Sequence, residues 1–352
     1  MTKTKITEET VLSALRNVQD PELHKDLVSL NMIQDVKIDG GKVSFKLVLT
    51  TPACPLRTTL ERNAREAVAG LAGVEKVDIS IQANVPQDQR IRRNLDIKVS
   101  NAIAVGSGKG GVGKTTIAVN LAVTLARSGA RVGLLDADIY GPNVPTMLGV
   151  HEMPRGHDNR MVPPQKYGVK IMSIGFLVPP DQPLIWRGPM LHSAIQQFIG
   201  DVDWGELDYL VIDLPPGTGD APLSLAQSIP ISGGVIVTLP QQVSLEDARR
   251  GVEMFRKLEI PLLGVVENMS YLDLPDGTRM DVFGAGGGKR LAEAAGIPFL
   301  GEIPMDPNVR VGGDTGAPVT ITHPDSPVAK AILAVSEAIA ACVSVTTLSE
   351  NR

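Results

Sequence analysis

Between residues 8 and 18 the apolar side chains fall at Val11, Leu12, Leu15 and Val18, the three-and-four spacing of a helix with one buried face. Thr7 precedes Glu8 and Glu9, so an N-cap oxygen and negative charge stand ready for the first turn. The period then drops to two. Met32 to Ile38 leads into Gly40-Gly41, a turn signal, after which Val43, Phe45, Leu47 and Leu49 alternate with more polar neighbours as a half-buried strand does. Beyond TTPACP, Leu56, Leu60, Ala64, Ala67, Val68 and Leu71 return to helical spacing, and Val77, Ile79 and Ile81 alternate in a last strand. Residues 1–82 are predicted to be a small α/β domain in the order α-β-β-α-β.

Residues 83–100 turn polar and charged and read as a linker. From 101 to 345 the pattern changes again. Short continuous apolar runs, AIAVGS, ARVGLLDAD, YLVIDLP, GGVIVTLP and LLGVVENM, alternate with helical stretches such as TTIAVNLAVTLARSG and SLEDARRGVEMFRKL. Strands without polar alternation are buried on both faces, which predicts an α/β fold with a mostly parallel, doubly wound sheet covered by helices. In such sheets ligands bind beyond the carboxyl ends of the strands. The last segment, SPVAKAILAVSEAIAACVSVTTLSENR, reads as a packed final helix followed by a tail at 346–352.

Composition narrows the function classes. A chain of 352 residues that is 43% hydrophobic can bury a core, and a formal charge of −5 gives no electrostatic reason to expect a nucleic-acid partner. The N-terminal residues lack the apolar centre of a secretory signal, and no apolar run looks long enough to cross a bilayer, so a cytoplasmic protein without a membrane partner is expected. Of the two cysteines, Cys342 lies in an apolar helix and reads as a small buried hydrophobe. Cys54 stands just before a helix, whose positive end would favour its thiolate; a turn cysteine and a ligand or redox group are both open readings.

The chemistry is concentrated in GSGKGGVGKTT, where Gly108, Gly113, Lys114 and Thr115 meet the phosphate-loop pattern between a predicted strand and a predicted helix. Gly110, Gly111, Val112 and Gly113 offer backbone N–H groups to phosphates, and the helix N-terminus adds its positive end. Lys114 is expected on the β- and γ-phosphates, Thr115 on Mg²⁺ and Thr116 on the α-phosphate. Asp213 ends the run YLVID, where a carboxylate holds the Mg²⁺ shell. Asp136 and Asp138 end the run before it; one of them is expected to orient the attacking water, with Asp138 favoured for that and Asp136 for support on the metal side. ATP and Mg²⁺ are the implied ligands.

The additional Lys109 makes the loop KGGVGKT, which resembles the deviant-Walker-A ATPases of the MinD/ParA/Mrp group. That resemblance implies a nucleotide-sandwich homodimer in which Lys109 reaches the partner's phosphates. With LDADIYGPNVPTMLG, IWRGPMLHSAIQQF (185–198), YLVIDLPPGTGD, VVENMSYL and the glycine-rich run from Phe283, residues 101–335 resemble the Mrp/ApbC family of iron–sulfur cluster carrier ATPases. This implies Asn268 as the adenine-reading side chain, Gln241-Gln242 lining the site, and iron–sulfur apoproteins or assembly proteins as partners. DPEL, DLVSLNMI and TTPACP are similar to the PaaD/SufT-like domain fused ahead of such ATPases.

One feature of the family is missing. Its carriers hold a bridging cluster through a CxxC after the N-M-S-Y run, whereas here residues 272–281 read LDLPDGTRMD. An iron–sulfur cluster needs thiolates, usually four, and this stretch has none. Three functions remain open: a carrier ATPase with other ligands, Cys54 being the candidate; an ATP-dependent switch or scaffold without a cluster; and a MinD/ParA-like positioning ATPase.

Overall fold

The structure is a computed structural model, and the residues it describes are 6–94, 97–157, 160–177, 188–219, 222–223, 226 and 230–350. Residues 185–187 of the IWRGPM motif and Asp220 fall outside them. The chain divides into two compact units, Met1–Pro86 and Gln87–Arg352.

In the first unit, helix α1 (Glu8–Leu15) opens on a reciprocal cap: the Thr7 hydroxyl accepts from the Thr10 N–H and the Thr10 hydroxyl accepts from the Thr7 N–H. Val11 and Leu15 turn fully inward. Strands β1 (Ile33–Asp39) and β2 (Lys42–Leu49) pair antiparallel across a turn whose Gly40 has φ +56°, a left-handed value that favours glycine. Helix α2 (Arg57–Ala69) sends Leu60, Ala64 and Val68 into the same core, and β3 (Lys76–Ala83) lies parallel to β2. The predicted order α-β-β-α-β is found. An unforeseen antiparallel pair, Gln19–Asp20 with Lys25–Asp26, closes around Asp20, whose carboxylate accepts from the Glu22 and Leu23 N–H groups.

The second unit is built on β4 (Lys98–Ser107), β5 (Val132–Asp136), β6 (Gln165–Lys166), β7 (Val169–Ser173), β8 (Glu206–Asp213), β9 (Gly233–Thr238), β10 (Leu262–Asp273), β11 (Arg279–Met280) and β12 (Phe299–Met305). They form one sheet in the order β6-β7-β5-β8-β4-β9-β10-β11, with β12 also on β10. Every pairing is parallel except β6 with β7 and β10 with β11. The helices are α3 (Gln89–Asn94), α4 (Lys114–Arg127), α5 (Val144–Leu148), α6 (Gly188–Gly200), α7 (Gln242–Lys257), α8 (Gly287–Ala295), α9 (Pro307–Thr315), α10 (Val319–Thr322) and α11 (Pro327–Glu350). Fully buried side chains such as Trp204, Phe198, Leu210 and Phe255 fill the core between sheet and helices.

Two boundaries and one expectation about apolar length differ from the sequence reading. The stretch 83–100 is not all linker: Asp88 draws in Arg90, Ile91 is buried in the core of the second unit, and Lys98 already pairs with Glu206. Charge hid a single apolar anchor. The tail from 346 continues α11 through residue 350, because the buried Thr347 hydroxyl donates to the Asn101 side chain at 2.8 Å. And α11 is long and apolar enough, by length and composition, to cross a membrane over residues 327–349, with a mean hydropathy of 1.9. Half of that stretch is buried against the protein, where α11 packs on β12 and α4.

Candidate functional site

The carboxyl ends of β4, β5 and β8 meet at one edge of the sheet. Register places Asp213 beside Asp136 on one side and Val105 on the other, two residues before β4 ends at Ser107 and the glycine loop begins. Gly108 and Gly113 are required by their surroundings. A Cβ on Gly108 would lie 2.0 Å from the backbone carbonyl carbon of Asp247 in α7, and one on Gly113 would lie 2.1 Å from the Asn268 amide nitrogen. Gly111 and Gly113 are also left-handed, at φ +79° and +84°. Gly110 has open space around its Cα, and Val112 is buried beneath the loop.

Lys114 opens α4, the helix whose N-terminus faces the site. Only 5% exposed, it donates to Asp213 Oδ1 at 2.6 Å and lies 3.3 Å from both Asp138 Oδ2 and Thr115 Oγ1. The Thr115 hydroxyl donates to the other Asp213 oxygen at 2.7 Å. These sequence-predicted residues are therefore in direct contact. A hydroxyl and a carboxylate sharing one point are hard oxygen donors suited to Mg²⁺, and the charge on Lys114 suits phosphate. Thr115 and Asp213 fit the metal the fold implies.

Asp136 stands one layer deeper. Its carboxylate is fully buried and accepts from the Ser173 hydroxyl at 2.8 Å, the Val144 N–H at 3.1 Å and the Asp138 N–H at 3.2 Å. Those bonds favour the ionised form, but burial, and then the charge of neighbouring Asp213, win and push its pKa up to about 8. Asp213 is raised as well, by burial, with Lys114 opposing the shift. Asp138 accepts from the Tyr140 N–H, which fixes its carboxyl beside Lys114.

A cavity of about 920 Å³ opens over these groups. One wall is Lys109, Lys114, Thr115, Thr116 and Asp138; the other is Asn268, Met269 and Leu272 together with residues 303–307, Val309 and Arg310. Its size lies within the range of small-molecule sites. Lys109 is half-buried on this wall, with its carbonyl accepting from the Ser107 hydroxyl. Asn268 is not simply free to read a base: its amide donates to the Val112 carbonyl at 2.9 Å and so holds the loop. Gln241 precedes α7 and Gln242 begins it, and neither lines this cavity.

Sequence reasoning missed Ser173, Glu267 and the whole wall from β12. Glu267 is fully buried, accepting from the Ser270 hydroxyl at 2.6 Å and from the Gly286 and Gly288 N–H groups at the start of α8. The signal was present, since VVEN places an acid after apolar residues as YLVID does.

The hairpin at 272–281 is self-contained. Arg279 stacks on the Tyr271 ring 3.4 Å from its centroid and pairs with Asp273 at 3.0 Å, while Asp276 accepts from the N–H and hydroxyl of Thr278. Among the described residues no three His, Cys, Asp or Glu side chains gather as a metal site. In the first unit, Cys54 is half-buried, is not in a disulfide, and precedes α2, its carbonyl accepting from the Arg57 N–H.

A family model described as the NUBPL iron-transfer P-loop NTPase matches residues 98–340, and one described as an iron–sulfur cluster assembly protein matches residues 8–81. An iron–sulfur cluster carrier protein of Synechocystis sp. is 53% identical over 354 residues, covering 97% of this chain and 99% of that protein. Another of the same name, from Deinococcus radiodurans, is 51% identical and covers 97% of each. Among solved structures, a nucleotide-binding protein of Archaeoglobus fulgidus in complex with ADP is similar at 41% identity and a TM-score of 0.57, covering 65% of this chain and 91% of that one.

Proposed function

The chain belongs to the NUBPL iron-transfer P-loop NTPase family, and from that premise we propose that it is an ATP-hydrolysing iron–sulfur cluster carrier that works as a nucleotide-sandwich homodimer. The observation that carries the reading is the buried pair Lys114 and Asp213, joined by the half-buried Thr115, at the floor of a nucleotide-sized cavity. Lys114 leaves Asp213 for the β- and γ-phosphates as ATP enters, the loop N–H groups from Gly108 to Gly113 cradle the phosphates, and Thr116 meets the α-phosphate. Thr115 and Asp213 would hold Mg²⁺, with Asp136 behind them. The ion would supply neutralising charge to the phosphates.

Asp138, fixed by the Tyr140 N–H, orients the attacking water. Lys109 of each subunit completes the partner's site, adding positive charge where it develops in the transition state. Asn268 couples the adenine side of the cavity to the loop carbonyl it already holds. The cargo is a cluster to which the two Cys54 side chains, one from each subunit, supply two of the ligands, which makes iron–sulfur apoproteins and assembly proteins the partners and the cytoplasm the place of work.

A second reading is favoured by the hairpin at 272–281, which offers no thiol: an ATP-dependent switch or scaffold of the same family, with the cluster held by another protein. One experiment separates them. The chain is loaded anaerobically with iron and sulfide and mixed with an apoprotein whose activity reports its cluster, with and without Mg-ATP. Activation that depends on the loaded chain supports the carrier; ATP turnover with no activation supports the switch.

A further inference from the structure

Strand β10 and its partner β12 fall out of step at one place. Glu267 pairs with Glu302 and Asn268 with Ile303, but the next pairing is Leu272 with Met305. Three residues of β10, from 269 to 271, therefore lie opposite the single Pro304. A proline has no N–H to give the ladder, so the bulge falls where the pairing was already broken. Within the bulge Met269 has φ +50°, a left-handed backbone that a non-glycine residue keeps only when its surroundings hold it there.

Those surroundings are identifiable, and they face two ways. On one side Asn268 donates to the Val112 carbonyl of the phosphate loop, and Met269 and Leu272 line the nucleotide cavity. On the other, the Ser270 hydroxyl donates at 2.6 Å to buried Glu267, whose carboxylate also takes the N–H groups of Gly286 and Gly288. Gly288 has no room for a side chain, since a Cβ there would lie 2.9 Å from that of Glu267. Glu267 is thus a fixed post between the bulge and the start of α8. The hairpin leaves directly from the bulge; its far strand carries Met280 and is followed by Val282, which are 49% and 43% exposed.

We propose that the bulge at residues 269–271 is a nucleotide-responsive joint that sets the position of the hairpin at 272–281. A nucleotide that turns the Val112–Gly113 backbone toward its phosphates draws on Asn268, and a base or ribose in the cavity presses on Met269 and Leu272. Glu267 does not move, so the displacement is absorbed by the backbone of Met269 and passed to the hairpin that follows. The joint rests on the nucleotide site proposed above and adds its output: an exposed ribbon whose position reports what the loop holds.

Hydrogen–deuterium exchange on the full chain tests this, without nucleotide, with Mg-ADP and with Mg and a non-hydrolysable ATP analogue, nucleotide affinity being measured in parallel. In the wild type, exchange across 270–286 is expected to change by about threefold or more on nucleotide binding. Ser270→Ala, which cuts the tie to Glu267, is expected to keep nucleotide affinity within about twofold while more than halving that response. Met269→Gly, which frees the backbone, is expected to raise hairpin exchange before any nucleotide is added. Binding with no change at 270–286, or an undiminished response in Ser270→Ala, overturns the joint and leaves the ATPase reading standing. A chain that binds no nucleotide overturns both.

Discussion

The phosphate loop and the hairpin at 272–281 both hang from the end of the same sheet, yet they treat charge in opposite ways. At the loop, charge is buried and shared: Lys114 and Asp213 meet at 2.6 Å with side-chain exposures of 5% and 0%, Thr115 completes the pair, and Asp136 is walled in behind. At the hairpin, charge is exposed and local, Arg279 and Asp273 pairing at 53% and 48% exposure and Asp276 serving only its own turn. Burying ions is costly unless partners answer them, so the first arrangement marks a site organised for a charged ligand. The second marks a loop that holds its own shape. Energy handling is therefore built into the loop, whereas cluster ligation has no counterpart in the ribbon that follows.

The contrast breaks if the two regions respond alike to mutation. Lys114→Ala is expected to abolish ATP turnover and, by stranding the buried Asp213, to cost about 3–5 kcal/mol of stability, read from turnover and a denaturation midpoint. Asp276→Ala in the hairpin should leave turnover within about twofold. Lys109→Ala sharpens the picture further. It should lower turnover by something on the order of 10³ to 10⁵ while nucleotide affinity persists, as the loss of a charge acting across subunits does. Equal loss of both in an affinity and turnover comparison would contradict that role.

A further expectation concerns pH. Asp136 has a folded pKa raised from 3.8 to about 8, so the stability its proton contributes is complete below 3.8 and is lost as pH rises through about 8. Without nucleotide or Mg²⁺, the thermal midpoint of the wild type should fall across this window, and that of Asp136→Asn should fall less. The smallest effect belongs to the hairpin: Arg279→Ala, which loses its stack on Tyr271, should barely move the denaturation midpoint and should leave turnover unchanged.

The sequence made the loop end of the molecule legible because its residues are local signals at strand ends. GSGKGGVGKTT stands between strand and helix, and Asp213 and Asp136 each close an apolar run. What escaped was set by distant chain. Ile303 to Pro307, with Val309 and Arg310, join the cavity only because β12 pairs with β10, and Asn268 takes up Val112 from a loop more than a hundred residues away. Glu267 carried the same strand-end signal as Asp213 and was passed over for the more suggestive Asn268 beside it. Charge in 83–100 obscured Ile91, which the core claims, and the long α11 continues past 345 because Thr347 finds Asn101 across the fold. In the first unit the alternation of Val43, Phe45, Leu47 and Leu49 was enough, as one-faced burial sets both strand and register.

The central claim is that an intact ATPase site serves a cluster whose ligands lie outside the hairpin, and anaerobic reconstitution tests it most directly. Iron, sulfide and the visible spectrum would be measured on the wild type and on Cys54→Ala after loading with iron and sulfide. The account predicts a stable cluster in the wild type, near one per two chains, and its loss in the variant with ATP turnover unchanged. No cluster in the wild type, or one that survives in Cys54→Ala, would contradict it.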